Sequence, residues 1–417
     1  MIKVLHFADA HIDMAAQGKR DPQSGLPYRV LDFLAALDTI VDTAIAEKVD
    51  LVLFAGDAYK DRTPVPTYQR EWGKRIIRLS QAGIPTLLLV GNHDISPAQG
   101  RAHALQEFRT LEVPHIRVID RPVFLQSGEF ENLPVQIIAL PWVSRSTLIL
   151  DEEENVDADA SKSEQINSSI QAKLTTLIEK WLERIDPQIP VIFLAHASVE
   201  GAVYGNERTI MLGSDYLLPA GLLKDPRLDY VALGHIHKKQ NLNENHHPPI
   251  VYPGSIERVD FGEVKDEKYF VIASIEKGHT ALDWRQLQGR KFVDCDFTLD
   301  ANDDAMQKIM QALPGRESVQ DAIVRVRIHY PKHMENFIDE NAIRERLDGA
   351  FVLNLIRRPM TEVRSRLPLG SGTESLTPLQ LLDLYWDTKQ IKDDREMLTK
   401  LAVQVMADQS IQEKELI

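Results

Sequence analysis

The 417-residue sequence has a single cysteine, Cys295. No internal disulfide framework can form, which fits a reducing cytosol. Long apolar runs are also missing: none approaches the ~18–20 residues that a bilayer-spanning helix needs. The opening stretch Met1-Ile2-Lys3-Val4-Leu5-His6-Phe7 lacks a long apolar core and a small-residue cleavage site, so it reads as a strand and not as a signal peptide. Positive charge is scarce too, with 48 Lys and Arg against 62 Asp and Glu and a net charge of −14. An acidic chain is not drawn to nucleic acid by its overall field. It can still meet phosphate through bound divalent cations, which reverse the sign locally. No internal repeat is visible.

What is present is ordinary globular material. Apolar residues make up 43%, enough for a sizeable core, and the length suits two or three domains at ~100–200 residues each. The first part alternates strand-like runs with amphipathic stretches, the mark of an α/β layer fold. The predicted strands are Lys3–Asp9, Leu51–Asp57, Thr86–Asn92, Val135–Leu140, Pro190–His196, Asp229–His235, Ile250–Ser255 and Tyr269–Ile275. Val30, Phe33, Leu34, Leu37, Ile40, Val41, Ala44 and Ile45 share one face of a helix, as do Ile166, Ile170, Leu174, Leu177, Ile178, Trp181 and Leu182. Asp151 to Glu164, with seven acidic residues and one lysine, reads as an exposed loop.

Beyond about residue 280 the pattern changes. Ala322–Tyr330 alternates, with Val324, Val326 and Ile328 on one side and Arg325, Arg327 and His329 on the other. Helices are expected over Asn302–Leu313 and Glu340–Leu347 and a strand over Phe351–Ile356, giving a small α+β module. The Arg325/Arg327 face is either a phosphate contact or an ordinary solvated strand face. Arg344, Arg346, Arg357, Arg358, Arg364 and Arg366 add positive charge locally. Pro368-Leu369-Gly370-Ser371-Gly372-Thr373 has linker composition. Thr377-Pro378 then offers an N-cap and an N1 proline for the first of two short helices, whose apolar residues include Leu379, Leu382, Tyr385, Trp386, Leu398, Leu401 and Val405. Helices that short need packing on the body or on a partner.

The chemistry gathers where the strands end. Five ends carry metal-ligand residue types: Asp9-Ala10-His11, Gly56-Asp57, Gly91-Asn92-His93-Asp94, Ala195-His196-Ala197 and Gly234-His235-Ile236-His237. In open α/β sheets ligands bind beyond the carboxyl ends of the strands, so these loops are placed to converge. The two-residue spacing of Asp9 and His11, and of His235 and His237, points both side chains of each pair the same way if the backbone is extended. Oxygen and imidazole ligands suit Mn²⁺, Fe²⁺ or Zn²⁺, and the lack of nearby thiolates disfavours a structural zinc site. A carboxylate bridging two cations ~3.5–4 Å apart would give the clamp for in-line displacement at phosphorus.

Taken in order, these five motifs resemble the signature of the calcineurin-like metallophosphoesterases. The resemblance implies a four-layer α/β/β/α fold and two divalent ions. It assigns Asp9, His11, Asp57 and His237 to one ion and Asp57, Asn92, His196 and His235 to the other, with Asp57 bridging. It makes His93 the catalytic histidine that contacts the phosphate. The stretch Tyr252 to Glu263, read Tyr-Pro-Gly-Ser-Ile-Glu-Arg-Val-Asp-Phe-Gly-Glu, is similar to that of the bacterial SbcD subunits, counterparts of the Mre-type double-strand-break nucleases. That finer resemblance implies a nuclease domain over residues 1–280, a capping domain over 281–366 that helps hold DNA, and a linker with partner-binding helices over 367–417. It also implies manganese-dependent exonuclease and endonuclease activity in DNA repair, a homodimer, and an SMC-like ATPase partner of the SbcC type bound by the terminal helices. The expected place is the cytoplasm, at the nucleoid. Lys60 stands where many relatives carry His or Asp, with Asp61 next. The rival readings are a phosphodiesterase or phosphatase of small phosphoesters, against which the C-terminal region argues, and a non-catalytic DNA-bridging scaffold, against which the full ligand set argues.

Overall fold

The computed structural model describes residues 1–15, 19–95, 102–143, 160–205, 217–360, 377–388, 395 and 397–403. Two compact units emerge. The first comprises Met1–Asp294, Val319–Val324 and Gly349–Val352, and the second Cys295–Ser318, Arg325–Asp348 and Leu353–Ile417.

The first unit begins with β1 (Ile2–Phe7), α1 (Tyr28–Ala46), β2 (Leu51–Phe54), α2 (Pro66–Gln81), β3 (Thr86–Leu89), α3 (Gln106–Thr110), β4 (Ile116–Ile119), β5 (Val123–Leu125) and β6 (Gln136–Leu140). It continues with α4 (Ala160–Leu182), β7 (Val191–His196), β8 (Ser198–Val199), β9 (Leu217–Leu218), α5 (Ala220–Leu223), β10 (Tyr230–Gly234), β11 (Gln240–Asn241), β12 (Ile250–Tyr252), β13 (Lys268–Glu276) and β14 (His279–Leu287). One six-stranded sheet has the order β14-β13-β1-β2-β3-β4 and a second the order β11-β12-β10-β7-β6-β5. Strands β1 to β4 run parallel, as do β6, β7, β10 and β12. All the chemistry-bearing strand ends of a sheet therefore lie at one edge.

Strand alternation builds the layers. Leu5, Phe7, Val52, Phe54 and Leu88 pack against Val30, Phe33, Leu37 and Ile40 of α1 and Trp72, Ile76 and Leu79 of α2. The intervening residues Val4, Leu51, Leu53 and Leu87 face Ile137, Ala139, Ile192, Leu194 and Ala232 of the second sheet. The other face of that sheet, through Ile138, Leu140, Phe193, Val231 and Leu233, meets Ile170, Leu174, Ile178 and Leu182 of α4. Helix, sheet, sheet, helix: the architecture is the four-layer α/β/β/α fold. The stripe on α2 is thin, because Arg70, Lys74, Arg75 and Arg78 surround three buried apolar residues, which is why the sequence pattern passes over this helix.

Two sequence readings need correction here. Residues 144–159 lie outside the described residues, but Ala160 to Glu164, expected in the acidic loop, belong to α4. A boundary after residue 280 also falls inside β14, which pairs with β13 from Lys268↔Leu287 to Glu276↔His279. The polar outer face of β14 disguises it as connecting chain.

The sheet that supplies most of the second unit's strand residues has the order β15 (Phe292–Thr298), β16 (Ile323–Pro331), β17 (Val352–Met360). The unit's helices are α6 (Ala305–Ala312), α7 (Arg316–Val319), α8 (Glu340–Arg346) and α9 (Pro378–Thr388). Val326, Ile328 and Tyr330 are buried while Arg325, Arg327 and His329 are half-buried. Asp296 pairs with Arg327 at 2.9 Å and with His329 at 3.1 Å, so part of the basic face is neutralised. Asp304 caps α6 and Asp339 caps α8 through their first backbone N–H groups. At α9, Thr377 Oγ1 accepts the Gln380 N–H at 3.4 Å and Gln380 Oε1 accepts the Thr377 N–H at 2.8 Å, a reciprocal cap. The linker Pro368–Thr373 and Val405 lie outside the described residues.

Candidate metal centre

The eight singled-out residues come together at the carboxyl edge of the two sheets, at or just past the strand ends. The backbone there is not extended. Asp9 (φ 51°), His11 (φ 39°), Asp57 (φ 64°) and His235 (φ 98°) all occupy the left-handed region. Such conformations cost ~1–3 kcal/mol each for non-glycine residues and cluster at functional sites. The spacing of Asp9 and His11 therefore works through a turn after β1, and the expectation of extended backbone for the pairs 9/11 and 235/237 is corrected. Glycine is required beside them for contact: a Cβ on Gly91 would sit 2.1 Å from Asp57 Oδ1, and one on Gly56 2.3 Å from His196 Nδ1.

The candidate ligand atoms fall into two groups. His11 Nε2 and His237 Nε2 are 3.0 Å apart. Asn92 Oδ1 lies 2.9 Å from both His196 Nε2 and His235 Nδ1. Between the groups lies Asp57 Oδ2, 3.4 Å from His196 Nε2 and 3.9 Å from His11 Nε2. Asp57 Oδ1 accepts the His93 N–H at 2.8 Å. Asp9 accepts the His235 N–H at 3.0 and 3.1 Å. Asp9 belongs both to a set with His11 and His237 and to one with Asp57 and His196, each with donor atoms within 4.8 Å of one another.

Proton placement shows that this donor set fits cations. His11 donates Nδ1–H to the Tyr59 carbonyl at 3.3 Å and His237 donates Nδ1–H to Glu263 Oε1 at 2.8 Å. Their Nε2 atoms are then both acceptors, and two acceptors 3.0 Å apart repel unless a proton or a cation sits against them. His196 donates Nδ1–H to the Ala55 carbonyl at 2.7 Å, so its Nε2 is the nitrogen on which a cation would replace a proton.

The electrostatics agree. Burial pushes the Asp9 carboxyl up to about 7. Burial also opposes ionisation of Asp57, but the His196, His93 and His11 imidazoles outweigh it and hold Asp57 well below the carboxylate range. Burial disfavours charge on His196, yet Asp57 and Asp9 raise its imidazole to about 9. Burial drives His11 well below its ordinary value.

Several supporting residues were not singled out in the sequence. Asp94, fully buried, accepts the N–H groups of Asp57 (2.9 Å), Ala58 (3.0 Å) and Gly91 (2.9 Å), tying the β2 and β3 loops together. Glu263 backs His237 and pairs with buried Lys268 at 2.7 Å. Burial opposes charge on Glu263, but Lys268 and His237 prevail and keep its carboxyl far below the usual range. Trp142 covers His235 and His196, with ring centroids 5.0 and 6.1 Å away. Glu263 closes the quoted 252–263 stretch and Asp94 closes its motif, so both were within sight; Lys268 and Trp142 carry no local signal. Next to His93, an open groove of roughly 630 Å³ is lined by Asp13, Lys60, Arg62, Thr63 and Tyr68 among others.

A cluster of imidazoles and carboxylates at the edge of paired sheets defines a metal-dependent hydrolase centre. The calcineurin-like phosphoesterase family model matches residues 2–239, and the chain belongs to that family, whose members work with divalent metal ions. Among relatives, the chain is 28% identical over 256 residues to the SbcD component of the SbcCD nuclease of Rhodobacter capsulatus, covering 58% of this chain and 59% of that protein. It is 26% identical over 273 residues to "Uncharacterized metallophosphoesterase YhaO" of Bacillus subtilis, covering 64% and 56%. It is 25% identical over 335 residues to "DNA double-strand break repair protein Mre11" of Archaeoglobus fulgidus, covering 78% and 67%. The chain thus spans little more than half the length of the first two relatives. Among the described residues, no helix is long and apolar enough to cross a membrane.

Proposed function

We propose that this protein hydrolyses phosphodiester bonds in DNA with two divalent ions, manganese by preference, as the nuclease subunit of a DNA-repair complex. The observation that carries the reading is the position of Asp57 Oδ2, which faces His196 on one side and His11 on the other. Asp9, His11, Asp57 and His237 would hold one ion, and Asp57, Asn92, His196 and His235 the other. Bound ions would lower the pKa of a water to make the nucleophile and would stabilise charge on the phosphoryl oxygens. His93 stands beside them as the proton donor. Its Nδ1–H is taken by the Lys60 carbonyl at 2.7 Å, which leaves Nε2 for the leaving oxygen.

DNA as the substrate is supported by the names of two relatives, the SbcCD nuclease component and Mre11, and by an open groove beside His93 that a chain can enter. The proposal extends to exonuclease and endonuclease action, a homodimer, a capping role for the α+β module that follows β14, and residence in the cytoplasm at the nucleoid. It also assigns the terminal helices to an SMC-like ATPase partner of the SbcC type. Exposed Met397 and Leu401 on the last described helical residues support that docking role.

The test is degradation of linear double-stranded and single-stranded DNA with Mn²⁺, with Mg²⁺ and with chelator, comparing wild type with His93→Ala. Manganese-dependent degradation that chelator abolishes and His93→Ala lowers by about 10²–10⁴-fold is expected. If DNA stays intact while bis-p-nitrophenyl phosphate is cleaved, the DNA assignment is overturned in favour of small phosphoesters.

A further inference from the structure

The loops after β1 and β2 are joined by a carboxylate that stands outside the ligand set. Asp13, two residues past His11, accepts the backbone N–H of Lys60 at 2.6 Å and that of Asp61 at 2.8 Å. The carbonyl of that same Lys60 accepts the Nδ1–H of His93 at 2.7 Å. The His93 ring stands edge-on to His11, with centroids 5.3 Å apart at 90°, and its main-chain N–H is fixed on Asp57. One continuous line of hydrogen bonds thus runs from Asp13 through the main chain at Lys60 to the imidazole. Lys60 and Asp61 are exposed, and among the described contacts their N–H groups are held by Asp13.

We propose that Asp13 is a positioning residue for proton donation by His93. It anchors the peptide whose carbonyl sets the ring's tautomer and direction. The inference rests on the reading of His93 as the proton donor given under Proposed function. In that reaction a bond forms between a water-derived oxygen and phosphorus while the bond from phosphorus to the leaving oxygen breaks. The leaving oxygen takes the proton from His93 Nε2, and the neutral imidazole regains one from solvent. Two charge-assisted hydrogen bonds are what keep the carbonyl on the ring. Without them an exposed loop is free to turn, and near-attack geometry tolerates little drift. The position acts through its main chain, so a lysine side chain there is compatible with the role.

A proton donor matters in proportion to the basicity of the leaving group, and this separates positioning from general loosening of the site. An oligonucleotide leaves as an alkoxide and needs the proton; bis-p-nitrophenyl phosphate leaves as a stabilised phenolate and hardly does. Asp13→Ala is expected to lower kcat on a single-stranded oligonucleotide about 100-fold. Its loss on bis-p-nitrophenyl phosphate should be at least ~10 times smaller. Calorimetric Mn²⁺ titration should match wild type, and in the His93→Ala background the substitution should add no further loss. An equal fall on both substrates, weakened Mn²⁺ binding, or a loss that multiplies with that of His93→Ala would overturn the inference. Asp13→Asn, which keeps the shape and one acceptor oxygen, should show the same leaving-group dependence at smaller size. If it slows both substrates alike, the positioning role fails as well. If His93→Ala itself leaves oligonucleotide cleavage unchanged, the proton-donor reading fails, and that result is distinct from failure at Asp13 alone.

Discussion

The two groups of side chains proposed to share Asp57 are backed by different materials. Asn92 and His235 follow β3 and β10, and the fully buried His196, the last residue of β7, leans on the main-chain carbonyl of Ala55. Trp142 covers this half. In the other half, the side chain of His237 is 13% exposed and leans on the carboxylate of Glu263, whose charge is answered by Lys268. His196, like His11 on the Tyr59 carbonyl, is thus oriented by a backbone dipole that no substitution removes, whereas His237 is oriented by a side-chain ion pair that a single substitution can break. A carboxylate behind an imidazole also makes it a more basic ligand than a carbonyl does. The same fold edge therefore holds a fixed half and a tunable half.

The most severe test removes what the halves share. Asp57→Asn keeps an oxygen for the His93 N–H, and asparagine tolerates the positive φ of 64° found there. We expect about 10³-fold less hydrolysis of bis-p-nitrophenyl phosphate and weakened binding of both ions by calorimetry. Loss of one ion alone would show that the carboxylate is not shared. Glu263→Gln should strike only the His11/His237 half, weakening one ion by about 10–100-fold and sparing the other. It also leaves Lys268 charged and buried without its partner, a cost of ~3–5 kcal/mol in stability. Adding Lys268→Met should restore Tm but not the lost ion, which separates the orienting role of Glu263 from its packing role.

The difference between the halves was only partly legible in the sequence. The strand-end motifs announce Asp9, His11, Asp57, Asn92, His93, His196, His235 and His237 because each follows an apolar run whose direction is fixed by α/β topology. The backing groups depend on long-range contact. Lys268 sits at the start of β13 and reaches His237 through folding alone, and Trp142 follows β6 with no motif around it. The fold was legible where apolar residues recur at regular spacing, as in α1 and the central strands. It was obscured where one face is charged, as in α2, or lies on the outside of a sheet, as in β14. Positive φ at four motif residues has no sequence signal beyond the tolerance of Asp and His for it.

Proton competition gives the gentlest way to sharpen the contrast. Without metal, the Asp9 carboxyl is raised by burial from 3.8 to about 7. The His196 imidazole is raised from 6.5 to about 9, because Asp57 and Asp9 outweigh the burial that opposes its charge. A folded-state pKa above the unfolded one favours the protonated fold. Each group's contribution is complete below its unfolded value and is lost as pH rises through about 7 for Asp9 and about 9 for His196. Metal binding must displace those same protons, so affinity gains up to about tenfold per pH unit until the competing group has ionised. His11 is already neutral, since burial holds it well below its ordinary value. The His11/His237 half competes with the Asp9 proton, so its Mn²⁺ affinity should rise as pH passes through about 7. The Asn92/His196/His235 half also competes with the His196 proton, and its affinity should keep rising towards about 9. Two-site Mn²⁺ titrations across this range read both slopes at once. Parallel curves for the two ions up to about 9 would mean that the His196 proton does not set the pH dependence of its half.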